Sequence, residues 1–403
     1  MADLGVVMPL YKQDPHFLKA AIDSIQSQQF QDFVVLIVID GAPEMEPMVK
    51  TFIQNDSRFF ILSQPKDQGV AKSLNIGFKE FFKHEQIQYL TWVSSDNIYY
   101  PSFLGTLREK LLKGPDELGL VYSSFQSINN EGKPLYDEFQ LAVQRKYQSQ
   151  PKDKLLDSSI IGVSFMYKSK YAKMIDGYLT VPIADYEYFL RITEHCEIRF
   201  LPVELMDYRV NSTFSVSSSL QTVEKHRNWR YTYHLARHQA RIRRGIPHLL
   251  TVLYPLNKAD STATERIENL YEQTFSNYVC YVLDLSHDQQ VSNVLSAISH
   301  PLTNFKWLPN VNEVNALFYI VQMVQTPFVM IINSKLYPVD TDLDILTNGL
   351  LKADSLVCSN CYTESHKEVG YRYPDSPFTI RHMYNELFRT EQLIKLLKQH
   401  IHD

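Results

Sequence analysis

The sequence predicts an α/β protein built on a mostly parallel sheet with helices on both faces, and three observations carry that prediction. Apolar, β-branched runs alternate with segments of helical periodicity, two of the runs stop abruptly on an aspartate, and the pattern recurs in the second half of the chain. A strand buried on both faces reads as a near-continuous apolar run, and open α/β sheets place ligands outside the carboxyl ends of their strands. A carboxylate at such an end is either surface punctuation or part of a ligand site.

The elements follow in order. "GVVMPLY" is a short strand ended by Pro9. "DPHFLKAAIDSIQSQ" then places Phe17, Leu18, Ala21, Ile22 and Ile25 at helical spacing, with Asp14 as N-cap and Pro15 at the first helical position. "FVVLIVIDGAPE" is a β-branched strand that ends on Asp40 and a glycine turn. "FFILSQP" is a third strand and "GVAKSLNIGFKEFFKH" a second helix. "YLTWVSSDNIYYP" begins as a fourth buried strand and stops on Ser94, Ser95, Asp96 and Asn97, so that Asp40 and Asp96 share one rim of the sheet.

The second half can be laid on the first, with Pro255 on Pro9, Phe275 on Phe30, Asp284 on Asp40 and Pro309 on Pro65. In that superposition Gly69 becomes Glu313, Asn75 becomes Tyr319, and the position of Asp96 falls near Asn333. The apolar skeleton is kept and the polar rim is lost. The expected domains are residues 1–217, a basic linker helix over 218–246, and a degenerate copy over 247–403. The arginine-rich linker reads either as a surface for anionic lipid or a polyanion, or as a helix that packs Trp229, Tyr233 and Leu235 and leaves its arginines in water.

Composition narrows the classes of function. A 403-residue chain with 44% hydrophobic content supports packed cores, and a formal charge of -5 gives no global basic field for nucleic acid. No apolar run approaches the roughly 18–20 residues of a membrane span, so a cytoplasmic protein is expected, with peripheral membrane contact and homo-oligomerisation left open. The four cysteines are too scattered for a disulfide framework, and the Cys358/Cys361 C-x-x-C lacks a second pair at zinc-finger spacing.

Five stretches in order, "VVMPLYKQDPHFLKAAIDSIQSQQF…VLIVIDGA", "DQGVAKSLNIGF", "YLTWVSSDNIYYPSFL", "VPIADYEYFLRI" and "LMDYRVNSTFSVS", make the first half resemble a family 2 glycosyltransferase of the GT-A fold. The resemblance implies that Asp40 reads the nucleotide, with the backbone near Pro9 and Tyr11 completing the pocket. It places Gly69, Lys72 and Asn75 on the nucleotide side. The family's D-x-D motif is reduced here to "SSD", so Ser95 and Asp96 remain beside the donor and Asp96 is the carboxylate left to hold Mn2+ or Mg2+. One carboxylate with substrate phosphate suffices for such a hard cation. The other reading of Asp96 is a turn cap.

Asp185 in "ADYEYFLR" matches the family's general base, with Ala184 where the first acid of the pair would stand. Its structural reading is a helix N-cap beside a Glu187–Arg191 surface pair. By the same resemblance Arg209 approaches the donor diphosphate, or else pairs with Asp207 or Glu204, and Asn211 replaces a histidine common in relatives. These residues together imply an inverting transfer from a nucleotide-sugar, a UDP-sugar, to a hydroxyl of a saccharide, polymer precursor or protein. A carbohydrate- or nucleotide-binding pseudoenzyme is the competing expectation, because Ile39, Ser94 and Ala184 stand where the family has carboxylates. A nucleotidyltransferase is disfavoured by the lack of a glycine-rich loop in "VVMPLYKQD".

Overall fold

The computed structural model describes residues 2–210, 222–298, 300–363 and 365–400, in two units, Met1–Thr232 and Tyr233–Asp403. In the first unit the chain runs through β1 (Leu4–Leu10), α1 (Pro15–Gln26), β2 (Phe33–Asp40), α2 (Glu46–Ile53), β3 (Phe59–Gln64), α3 (Val70–Phe82) and β4 (Tyr89–Trp92). It continues through β5 (Ile98–Tyr99), α4 (Phe103–Leu112), β6 (Leu118–Ile128), α5 (Glu138–Gln148), β7 (Phe165–Lys168), α6 (Ser169–Ala172), α7 (Ala184–Ile192) and β8 (Glu197–Arg209). Helix α8 (Val223–Arg243) crosses the division between the units.

The local signals act as expected with one exception: Pro9 does not end β1, which stays paired with β2 through Leu10. Asp14 caps α1 by accepting from His16 N at 2.8 Å, with Pro15 at the first helical position. The side chains of β1 are buried at nearly every position because sheet neighbours and helices enclose it. Helix α3 packs so closely on β1 that a Cβ on Gly77 would lie 2.6 Å from Val7 Cγ1.

The first sheet has the order β3, β2, β1, β4, β7, β6, β8, β5. Strands β3, β2, β1 and β4 are parallel, and β7 turns antiparallel against β4. From β1 the chain crosses to β2 on one side and later returns to β4 on the other. The crevice between β1 and β4 is therefore the topological switch point, and Val93 N, one residue past the end of β4, donates to Val7 O at 2.9 Å while β1 runs on to Leu10.

The second unit runs through β9 (Leu250–Leu256), α9 (Ser261–Tyr271), β10 (Tyr278–Asp284), α10 (Gln290–Leu295), β11 (Thr303–Trp307), α11 (Glu313–Val321) and β12 (Phe328–Ile331). Then come α12 (Asp342–Lys352), β13 (Ser359–Tyr362), β14 (Val369–Arg372), β15 (Leu387–Arg389) and α13 (Thr390–His400). Its sheet order is β11, β10, β9, β12, β15, β13, β14. Four parallel strands followed by an antiparallel fifth repeat the arrangement of the first sheet.

Register corrects two of the sequence superpositions. Asp284 pairs with Leu256, whereas the residue paired with Leu10 in the first unit is Ile39, so Asp284 occupies the position of Ile39 and not that of Asp40. Successive strand side chains face opposite ways, so the two aspartates serve opposite faces. Accordingly Asp40 accepts from Gln68 and Gly69 N–H before α3, while Asp284 accepts from Ser286 and Ser292 around α10. Likewise Trp92 pairs with Val7 and Ile331 with Leu253, which puts Lys335, rather than Asn333, where Asp96 stands. Helix α11 has Asn312 as its cap, so Glu313 is its first residue rather than the counterpart of the Gly69 cap.

The C-terminal half of α8 also departs from expectation. Its arginines are not all solvated: Arg237 and Arg241 are buried, donating to Thr274 O and to Ser276 O and Oγ, each at 3.2 Å. Loop carbonyls before β10 need donors, and the guanidinium groups supply them. All four cysteines are free thiols, and burial raises those of Cys358 and Cys361. No described helix is long and apolar enough to cross a membrane.

Candidate functional site

At the end of β2, Asp40 is buried and accepts from Gln68 N at 3.1 Å and Gly69 N at 2.9 Å. The carboxylate thereby ties the strand end to the start of α3. Gly41 follows at φ 69°, and a Cβ there would lie 2.2 Å from Asp67 N, so glycine is required for the two loops to meet. Gly69 caps α3 at φ 88°, open on its Cβ side, and Lys72 is exposed in the first turn. Across β1, Pro9 is in register with Val38, and Tyr11 beyond it is 41% exposed. Asn75 lies farther along α3, where its amide donates to Tyr178 O at 2.8 Å and accepts from Tyr178 N at 2.7 Å. It fixes the approach to α7.

At the end of β4, Ser94 Oγ donates to Asp96 Oδ1 at 2.5 Å, and Ser95 Oγ accepts from Gln13 Nε2 at 3.2 Å. Gln13 comes from the loop after β1, so the rims of β1 and β4 are joined by a side chain. Asn97 accepts from Arg209 N at 2.9 Å. Arg209 is buried; its Nε donates to Asp96 O at 3.0 Å, its Nη1 to the carbonyls of Asn129 and Asn130, and its guanidinium lies 4.0 Å from the Phe17 ring. The two carboxylates suggested as its partners are otherwise occupied: Glu204 pairs with Arg145 at 2.9 Å and Asp207 accepts from Tyr100 at 2.5 Å. Arg209 holds the main chain that carries Asp96.

Asp185 reaches the same strand end from α7. Trp92 Nε1, in the last residue of β4, donates to Asp185 Oδ1 at 3.2 Å. Burial of the carboxyl pushes it up to about 7, and the indole hydrogen bond pulls it back only in part. Asp185 is not the helix cap: that position is Ile183, which makes no side-chain cap bond, and Asp185 lies in the first turn. Nor is Glu187–Arg191 a surface pair. Their side chains are 6% and 12% exposed, both carboxylate oxygens accept at 2.7 Å, and Arg191 also donates to the carbonyls of Asp176 and Gly177.

The structure thus places Asp40 and Gly69 at the end of β2 and Ser95, Asp96 and Asp185 at the end of β4, the two strands that flank β1. Reading the sequence missed Gln13 and Trp92 as members of this rim, and placed Ser94 at the strand end without its bond to Asp96. Trp92 carried a legible signal, an indole N–H at the end of a buried strand that needs an acceptor. Asn211 and the segment expected to close over the site lie outside the described residues. Among the described residues no cluster of three His, Cys, Asp or Glu side chains forms a metal cage. A lone carboxylate on a rigid turn does fit a magnesium- or manganese-type cation that takes its other ligands from phosphate and water.

Residues 5–175 match the family described as Glycosyl transferase family 2. An uncharacterized glycosyltransferase of Rickettsia bellii is 25% identical over 218 residues, 52% of this chain and 30% of that protein. One from Methanocaldococcus jannaschii is 25% identical over 212 residues, 51% of this chain and 70% of that one. The chain therefore spans less than a third of the length of the first of these relatives. Among solved structures, S. aureus TarS 1-349 in complex with UDP-GlcNAc is similar at a TM-score of 0.46 and 13% identity, over 59% of this chain and 66% of that one. A mannosyltransferase, PcManGT from Pyrobaculum calidifontis in complex with GDP-Man and Mn2+, is similar at 0.44 and 16%, over 60% and 64%.

Proposed function

Residues 5–175 are a glycosyl transferase family 2 domain, and from that premise we propose that the protein is an inverting glycosyltransferase that moves a sugar from a UDP-sugar to an acceptor hydroxyl. The observation that carries this reading is the Trp92–Asp185 contact, which brings a carboxyl pushed up to about 7 to the strand end that bears Asp96. A base works best with a pKa near the operating pH.

In this reading Asp185 takes the acceptor's hydroxyl proton as its oxygen bonds to the anomeric carbon. The bond from that carbon to the diphosphate oxygen breaks in the same displacement, so configuration inverts. Pro9, Tyr11, Asp40 and Gly69 border the nucleotide, and exposed Lys72 adds a cation beside the N-terminus of α3, where anions are favoured. Asp96 would hold Mn2+ or Mg2+, and the cation supplies charge neutralisation for the leaving diphosphate. Arg209 acts through the main chain it fixes. The acceptor is a hydroxyl of a saccharide, polymer precursor or protein side chain.

The test is turnover of UDP-sugars, with GDP-mannose for comparison, followed by UDP release in Mn2+ and by the anomeric coupling of the product. Inverted product from a UDP-sugar is expected. Retained configuration sinks the mechanism, and metal-dependent nucleotide binding without turnover on any donor would favour the pseudoenzyme.

A further inference from the structure

The second unit contains a cleft of about 400 Å3, lined by Tyr254–Leu256 at the end of β9, by Ile332–Ser334 just after β12, and by Asn257, Lys258, Asp260, Glu313 and Tyr384. This is the switch point of the second sheet, since β10 lies on one side of β9 and β12 on the other. Open α/β sheets bind ligands at that place, and the volume falls within the roughly 300–1,000 Å3 of small-molecule sites. The cleft therefore has both the location and the size of a site.

Its chemistry differs from that of the first unit. Lys258 is paired with Asp260 at 3.2 Å, and Glu313 accepts from the Tyr384 hydroxyl, so the lining charges are acidic on balance. The N-terminus of α11 is closed by its own cap, Asn312 accepting from Asn315 N at 2.8 Å, and Glu313 stands next to it. A phosphate would meet a carboxylate where it needs free N–H groups. Lys335 takes the position that Asp96 holds in the first unit, so the carboxylate for a bridging cation is missing as well.

What the cleft offers is a fixed set of groups that exchange hydrogen bonds with hydroxyls. Asn333 is held by Asn385 Nδ2 at 2.6 Å, and its carbonyl takes Nε of the fully buried Arg266 at 3.0 Å. Arg266 also donates to Asn269 Oδ1 at 2.9 Å, so the floor is preorganised. The Glu313 carboxylate accepts, the amides accept and donate, and the phenol rings add apolar edges; the acidic balance disfavours an anion and leaves a neutral hydroxyl ligand unopposed. We propose that this cleft binds the hydroxyl face of a neutral saccharide, with Glu313 as the principal acceptor and Asn257 and Tyr384 alongside. The inference concerns binding by the second unit and holds or fails independently of the donor chemistry of the first.

The test applies the full chain to an array of uncharged hexoses, N-acetylhexosamines and their oligomers, with titration calorimetry on the sugars retained. Saccharide binding is expected, weakened at least about ten-fold by Glu313→Gln, since a hydrogen bond to a charged group is among the stronger ones. Tyr384→Phe, which keeps the ring, should weaken it less, and Asp96→Ala should leave it unchanged. Equal thermal melts of the variants show that folding is not the cause. Absence of binding to every neutral sugar overturns the proposal, as does binding indifferent to both Glu313→Gln and Tyr384→Phe. UDP or pyrophosphate binding that survives Asp96→Ala but is lost in Glu313→Gln overturns it too.

Discussion

In the first unit the carbonyl of Asp96, just past the end of β4, takes Nε of Arg209 at 3.0 Å; in the second the carbonyl of Asn333, just past β12, takes Nε of Arg266 at 3.0 Å. Arg209 arrives from β8 and lies 4.0 Å from the Phe17 ring, whereas Arg266 arrives from α9 and lies 4.3 Å from the Tyr337 ring. Both arrangements satisfy the same need, because carbonyls at the end of a buried strand must find donors inside the protein. The donor's place in the chain is free to change, provided the need is met. The rim side chains carry no such obligation to the fold, and they diverge: Asp96 against Lys335, Asp40 against an aspartate on the opposite face.

The difference is broken or sharpened most by Asp185, which sits on α7 beyond β7, whereas β15, antiparallel to β12 as β7 is to β4, leads into α13, and among the described residues of the second unit none corresponds to Asp185. Asp185→Asn should lower sugar transfer by roughly 10²–10⁴-fold while UDP affinity stays close to wild type, as for loss of a general base. The wild-type rate should rise with pH along a limb near 7, and the variant should lose that limb. Transfer at a near wild-type rate would remove Asp185 from the mechanism. Glu187 would be a poor replacement, being committed to Arg191.

The paired arginines give the next largest effect. Arg209→Ala should destabilise the first unit by several kcal/mol, at roughly 1–3 kcal/mol for each buried carbonyl left without a donor, and Arg266→Ala should do the same to the second. Hydrogen exchange resolved by peptide should show β4 opening in one variant and β12 in the other. Equal protection of both strands in both variants would refute the shared role.

Asp96→Ala should remove the Mn2+ or Mg2+ dependence of UDP binding, lowering affinity in metal by an amount on the order of the ~10–100-fold typical of damage around a metal site. Lys335→Asp in the second unit should create no nucleotide site, because the N-terminus of α11 is already capped by Asn312 and has no free N–H groups to offer a phosphate. Calorimetry with metal and with chelator measures both.

A further effect is on the pH dependence of stability. Folding raises the Asp185 carboxyl from an ordinary value of about 4 to about 7, so the folded state holds its proton more tightly than the unfolded chain. The corresponding stability is present at low pH and is lost as pH rises from about 4 through about 7. Asp185→Asn has no such titration, so its Tm relative to wild type should rise between pH 5 and pH 8. A constant difference across that range would place the carboxyl in water.

Much of the scaffold was legible before any coordinates. The alternation of β-branched runs and amphipathic helices, the Asp14–Pro15 start of α1 and the aspartates at the ends of β2 and β4 are short-range features, and each formed as read because periodicity and capping act within a few residues. The repeat of strand order was visible for the same reason, since an apolar skeleton survives wherever a sheet must be buried on both faces. What only the tertiary structure decided is who meets whom. A one-residue change of register moved Asp284 to the face opposite Asp40, and no local signal marks such a slip because both strands read alike. The partners of Asp185, Arg209, Arg237 and Arg241 lie dozens of residues away in sequence. A buried polar group takes its role from the donor or acceptor that chain crossings deliver to it, and that pairing is settled only when the sheet and its helices close around it.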